Sequence, residues 1–363
     1  MLILCLCDES VDWKLFPGYA AAFRRRGIEL FCIGDSLPLD VPLEEILKIC
    51  PVRPHWIFHF ESERPFLPQG LESSTIPTVC FHPDTYAFTS KRIRWSYLFD
   101  HVAVFHPGYE KLFARRGHPG AFLLPHAVCR EFFDGPELHR EFQLGWVGQT
   151  HGPLYRRRAE WLPKLAASFR MNNWSRKYSL QEVADVYQRS GIVVNIARDD
   201  YPQDANLRVF EVLASGALLI TSLPTELSDL GFQEGVHFVG YRSEDELIPL
   251  IRKFLENEPA RARISAAART KTLAEHTYDS RVEQLLSHLE QSGDKRLAPA
   301  RTWPEARARF MALDFFASHG VFPCAASHFR HIAGRSFRET VEGAALLTRA
   351  WFRHRASSAN ARD

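Results

Sequence analysis

At 363 residues the chain is longer than one hydrophobic core ordinarily serves, so two domains plus extra C-terminal material are expected. With 45% hydrophobic residues, 24% charged residues and 27 phenylalanines it reads as a packed globular protein, and a net charge of +2 is too small to argue for a nucleic-acid polymer as partner. The seven cysteines are odd in number and lack a paired C-x-x-C spacing, which argues against zinc and points to buried free thiols in a reducing cytoplasm.

The start, MLILCLCDES, has no basic segment ahead of its apolar run, and nothing later reaches the length of a membrane span. From there short β-rich runs alternate with helical patterns: LILCLC, a helix over 18–26, IELFCIG, a helix over 43–49, HWIFHF, TVCFHP and HVAVFHP. That alternation predicts a parallel α/β sheet. Polar or turn-forming residues follow the strands, beginning with Asp8, Glu9 and Ser10, and ligands of open α/β sheets bind at such carboxyl ends. His82 and Asp84 close one strand and His106 another; either imidazole could contact a bound ligand or its phosphate, and Asp84 could act as base.

Turn signals at Pro125 and Gly135-Pro136 predict a linker near 126–141. The sheet then restarts at FQLGWVGQTHGP, where a strand ending at Val147-Gly148 runs into an Arg-rich helix beginning near Tyr155. Ser179 and Glu182 have capping-box spacing ahead of a helix, and GIVVNIAR, ALLITS and VHFVGY read as strands separated by further helices. After Gly293 two amphipathic helical stretches are expected, over 304–318 and 336–353, in which Arg accompanies Phe and Trp. Packing on the body or on a second copy is the commoner fate of such helices, and contact with a membrane surface is the alternative.

The most informative stretch is NLRVFEVLASGALLITSLPTEL. Asn206, Leu207 and Arg208 open a helix with a carboxylate, Glu211, one turn on. Free N–H groups at a helix start favour a phosphate, an Arg beside them neutralises a diphosphate, and a carboxylate there can accept ribose hydroxyls. Arg156 and Arg158, beyond the Gly148 loop, could add charge to the same anion.

This stretch resembles the donor-binding segment of GT-B glycosyltransferases, most closely the CgeB-like (spore maturation protein) group with its "RxFE…A.G…T" pattern. IPTVCFHPDTY, FDHVAVFHPGYEKLFARRG, LLPHAV, LGWVGQ and the segment ending HTYDSR resemble further parts of that family, and only about the last 75 residues fall outside. The resemblance implies two Rossmann-like doubly wound domains facing a cleft, over 1–130 for the acceptor and 142–290 for the donor, plus a helical extension over 294–363. It also implies a metal-independent, retaining transfer from a nucleotide-sugar, UDP-linked by expectation, with no cofactor. Glu211 then corresponds to the second acid of the wider superfamily's Glu-x7-Glu motif, and Gln203 stands where the first acid would be. The acceptor, whether protein, polysaccharide, lipid or small molecule, is not given by the sequence.

Two other readings keep the nucleotide site: a sugar-nucleotide 2-epimerase, and a degenerate scaffold marked by Gln203. The pair Asp199-Asp200 invites comparison with the acidic metal motif of GT-A enzymes, but a surface turn before Tyr201-Pro202 accounts for both acids.

Overall fold

The computed structural model describes residues 1–7, 15–33, 37–61, 64–133, 138–202, 205–223, 225–293 and 295–360. Two compact units result, one of residues 1–124 with 287–363 and the other of residues 125–286.

The first unit runs β1 (Leu2–Cys5), α1 (Phe16–Arg25), β2 (Glu29–Cys32), α2 (Leu43–Ile49), β3 (Trp56–Phe60), β4 (Thr78–His82), α3 (Thr89–Ser96), β5 (His101–Val104), α4 (Tyr109–Arg115) and β6 (Ala121–Leu123). Among the described residues its six strands are parallel, in the order β2-β1-β3-β4-β5-β6. Strands covered on both faces read as unbroken apolar runs, and β1 and β4 are buried at every position. One face carries an aromatic core in which Phe60 stacks on Phe81 at 4.1 Å and Tyr19 of α1 lies edge-on to Phe81 at 5.7 Å.

The second unit runs β7 (Phe142–Gly145), α5 (Arg156–Ser168), α6 (Leu180–Gln188), β8 (Ser190–Asn195), α7 (Leu207–Ser215), β9 (Leu218–Ser222), α8 (Thr225–Asp229), β10 (Val239–Tyr241), α9 (Leu247–Glu256), α10 (Glu258–Glu275) and α11 (Tyr278–Ser292), whose end lies past the division at 286. Its parallel strands follow the order β10-β9-β8-β7. Val183, Val209 and Leu213 pack on one face with Ala268, while Leu162, Leu165 and Ile251 pack on the other. Helices on both faces make this unit doubly wound.

The C-terminal stretch forms α12 (Glu305–Ser318), α13 (Phe322–Ile332) and α14 (Phe337–Asn360). Instead of the amphipathic helix expected over 304–318, α12 is buried at every position from Phe310 to Ala317. Its apolar residues join the core on the second face of the first sheet, where Phe315 meets Trp95 edge-on at 5.1 Å, and a helix covered all round needs no polar face. A buried carboxylate, Asp314, pairs with Arg94 at 2.7 Å and fixes the docking. Helix α13 was not anticipated: Pro323 and the mixed segment CAASHFRH obscure its period, although a proline in the first turn is compatible with a helix start.

Candidate functional site

Parallel strands bring the loops after β7, β8 and β9 to one end of the second sheet. There Arg208, the second residue of α7, reaches back across two strands. Its Nε donates to the Val147 carbonyl at 2.7 Å and its Nη1 to Asn195 Oδ1 at 2.8 Å. The guanidinium lies over the Trp146 ring, 5.1 Å from its centre. Asn195 is itself held by its amide donating to Thr221 Oγ1 at 3.0 Å. The side chain of Arg208 is thus held by Trp146 and Val147, just past the end of β7, and by Asn195 at the end of β8, which Thr221 of β9 steadies in turn.

Gly148 completes this contact. A Cβ there would lie 2.0 Å from Arg208 Nη2, and its φ of +155° disfavours an L side chain. The loop backbone can lie against the guanidinium only because residue 148 is glycine. Asn206, in extended conformation, precedes the helical turn, Leu207 opens it, and Glu211 sits half-buried one turn beyond Arg208. Tyr187 of α6 lies in the field of Arg208, Glu211 and Arg158; burial pushes its phenol well above the ordinary value, Glu211 adds to that, and the two arginines oppose it.

The two other candidate arginines differ in setting. Arg158 is 4% exposed, donates to the Ile196 and Gln149 carbonyls at 2.8 and 3.0 Å, and supports the Gly148 loop from within. Arg156 is exposed at the start of α5. Asp199 caps that helix by accepting from the Arg156 and Arg157 N–H groups at 2.9 and 3.4 Å. Burial would raise the Asp199 pKa, but the Arg157 side chain and these N–H groups outweigh it and hold it below the usual range. Asp200 pairs with Arg198 at 2.9 Å. Gln203, like Asp8, Glu9 and Ser10, lies outside the described residues.

One carboxylate at this end went unnoticed in the sequence. Glu226, 2% exposed on α8, accepts from the Tyr201 hydroxyl at 2.5 Å and from the Ala205 N–H at 2.8 Å. It ties down both ends of the segment that leads into α7. The only sequence signal was a lone acid after the apolar strand ALLITS.

In the first unit, His82, Asp84 and His106 do come together, at the ends of β4 and β5. His106 Nε2 meets the Pro83 carbonyl at 3.0 Å, and Tyr86 packs edge-on to His106 while donating to Asp84 at 3.4 Å. Only Asp84 is exposed. His82 is turned inward, with Nδ1 at 3.0 Å from Glu61 Oε2, and Glu61 also takes two hydrogen bonds from Arg92, at 2.8 and 2.5 Å. Burial lowers the His82 pKa against the pull of Glu61, so the imidazole is neutral and donates to a carboxylate. Burial also opposes ionisation of Glu61, but His82 and Arg92 outweigh it and keep that carboxyl well below its ordinary range.

The family model described as "Glycosyl transferase-like" matches residues 138–287. A search of curated proteins finds no match. Among solved structures, the chain is similar to HepE of Anabaena, crystallised with UDP and glucose, with a TM-score of 0.51 and 11% identity over 80% of this chain and 100% of that one. Sucrose-phosphate synthase from Thermosynechococcus elongatus gives a TM-score of 0.53 at 12% identity, covering 80% and 98% of the two chains. A DNA-modifying β-glucosyltransferase, crystallised with and without uridine diphosphoglucose, gives 0.53 at 10% identity over 80% and 100%. Such low identities establish the fold, while the matched domain speaks for the activity. The chain is a glycosyltransferase of the GT-B fold, with a glycosyl transferase-like domain over 138–287.

Proposed function

We propose that the second unit binds a UDP-linked sugar, with the diphosphate at Arg208, the Gly148 loop and the first N–H groups of α7, and the ribose hydroxyls on Glu211. The observation that carries this reading is the fixed guanidinium of Arg208 against Gly148 at the start of a helix. As the bond from the sugar carbon to the β-phosphate breaks, negative charge grows on the departing oxygens, and cations already held in place stabilise it with little reorganisation. The acceptor oxygen forms the new bond to that carbon, and its proton leaves on the departing phosphate. Supported by the UDP and UDP-glucose bound in structurally similar proteins, UDP is our choice of nucleotide.

In this reading the first unit binds the acceptor through Asp84 and the neighbourhood of His82 and His106, Arg156 screens the diphosphate, and Gln203 stands by the transferred sugar. The transfer retains the anomeric configuration and needs no metal, and the CgeB-like group is the subfamily we favour, on the motifs quoted from the sequence. Calorimetric titration with UDP, comparing the intact chain with Glu211→Ala, tests the assignment. Loss of a carboxylate that accepts two hydrogen bonds should weaken binding by about tenfold or more. Unchanged affinity would remove Glu211 from the site.

A further inference from the structure

Helix α14 has two unlike faces. Toward α12 and α13 it turns Gly343, Leu346, Leu347 and Ala350, and a Cβ on Gly343 would come within 3.2 Å of the Phe329 ring, so the helix packs closely there. Away from the body it exposes Phe337 (88%), Val341 (54%), Trp351 (37%) and Phe352 (62%). At 3.6 residues per turn these four fall on one stripe, with Ala344 and Thr348 between them. Most exposed apolar residues of a folded chain are scattered singly; an aromatic stripe along one helix is a different feature.

Charge along the helix is uneven. Arg338 is paired with Glu342 at 3.0 Å, and from there to Asn360 the helix contains Arg349, Arg353 and Arg355 but no acid. Exposed Arg349 lies along one flank of the stripe. Phe and Trp favour the boundary between lipid headgroups and acyl chains, and Arg pairs with headgroup phosphate. A second copy of the chain is a poorer occupant: at ~200 Å² per side chain the exposed fractions sum to on the order of 500 Å², short of the roughly 800 Å² per partner of a standard protein interface.

We propose that the outer face of α14 is a docking surface for an anionic membrane, with the stripe from Phe337 to Phe352 seated among the headgroups and Arg349 on lipid phosphates. Attachment is peripheral, since no described helix is long and apolar enough to cross a bilayer. The inference is independent of the nucleotide site, because the stripe lies wholly on α14.

Cosedimentation of the intact chain with vesicles tests it, using phosphatidylcholine alone and phosphatidylcholine with about 30% phosphatidylglycerol, at low and high salt. Binding to the anionic vesicles should exceed that to the neutral ones by about fivefold or more and should fall with salt. Phe337→Ser combined with Phe352→Ser should abolish most of it, and Arg349→Gln should weaken it, each without changing the melting temperature. If the double variant misfolds, the exposed Arg349→Gln variant decides. The proposal is overturned if the intact chain stays in the supernatant with anionic vesicles, or if neither set of substitutions reduces binding. It is equally overturned if light scattering shows a dimer that the double variant dissociates, which would make a second copy the occupant.

Discussion

A methyl group at position 148 would meet the Arg208 guanidinium at 2.0 Å, and that guanidinium has little freedom to retreat because Val147 and Asn195 already hold it. Gly148→Ala is therefore expected to displace the cation or open the loop, with UDP affinity falling about tenfold or more in calorimetry while the fold persists. Arg208 itself should matter more to turnover than to ground-state binding, because its charge faces a diphosphate that becomes more negative during transfer. Arg208→Lys keeps a charge but loses the planar fork, and Arg208→Ala loses both, so kcat should fall in that order with KM moving less. If KM rose alone, Arg208 would be a docking residue. At this scale Arg208 and Glu211 are legible as candidates in the sequence because they sit together on one helical turn. Asn195, Trp146 and Glu226 are not, because their parts in the site depend on contacts between segments far apart in the chain.

Helix α7 is held as an element, and Glu226 is the residue that fixes the approach to it. Glu226→Ala would leave the buried Ala205 N–H without this acceptor, at a cost of about 1–3 kcal/mol. A lowered melting temperature together with weaker UDP binding is expected; a change in neither would mean that the segment before α7 is held by other groups. The N-terminus of helix α6 offers a contrast. Its Ser179 and Glu182 form the reciprocal capping box that their spacing predicts, so Ser179→Ala should cost about 1 kcal/mol in a denaturant melt and leave UDP affinity unchanged. Caps and buried strands were legible because local sequence determines them: HWIFHF, TVCFHP and GIVVNIAR fall on β3, β4 and β8. The burial of α12 is not legible, since an apolar helix does not announce which surface will cover it, and α13 is hidden because Pro323 and the mixed small and polar residues after it mask its period.

Across the whole molecule the buried histidines are unevenly divided. In the first unit, burial lowers His59 and His118 to about 4 and His101 and His328 to about 3, from an ordinary 6.5. His118 donates through Nε2 to the Ser96 and Phe99 carbonyls while its Nδ1 accepts from the Gly120 N–H, and His101 lies beside His288, each a setting that a second proton would disturb. In the second unit, His276 is lowered to about 3 by burial and by Arg281. A histidine whose folded pKa lies below its unfolded value leaves stability intact above pH 6.5, and the unfolded chain gains protons first as pH falls toward 4 and 3. Each such group then removes up to ~1.4 kcal/mol per pH unit across that window. His82, His288 and His319 are lowered in the same direction in the first unit and His237 in the second, so among the described residues the first unit has seven such groups against two and should lose stability faster between pH 6.5 and 4. Differential scanning calorimetry of the intact chain would read this as one transition dropping steeply with acid while another drops less. Saturating UDP should raise only the less acid-sensitive transition, because a ligand stabilises the unit that binds it. Movement of the acid-sensitive transition by UDP, with the other unmoved, would place the nucleotide on the first unit and overturn the assignment of Arg208 and Glu211 to its site.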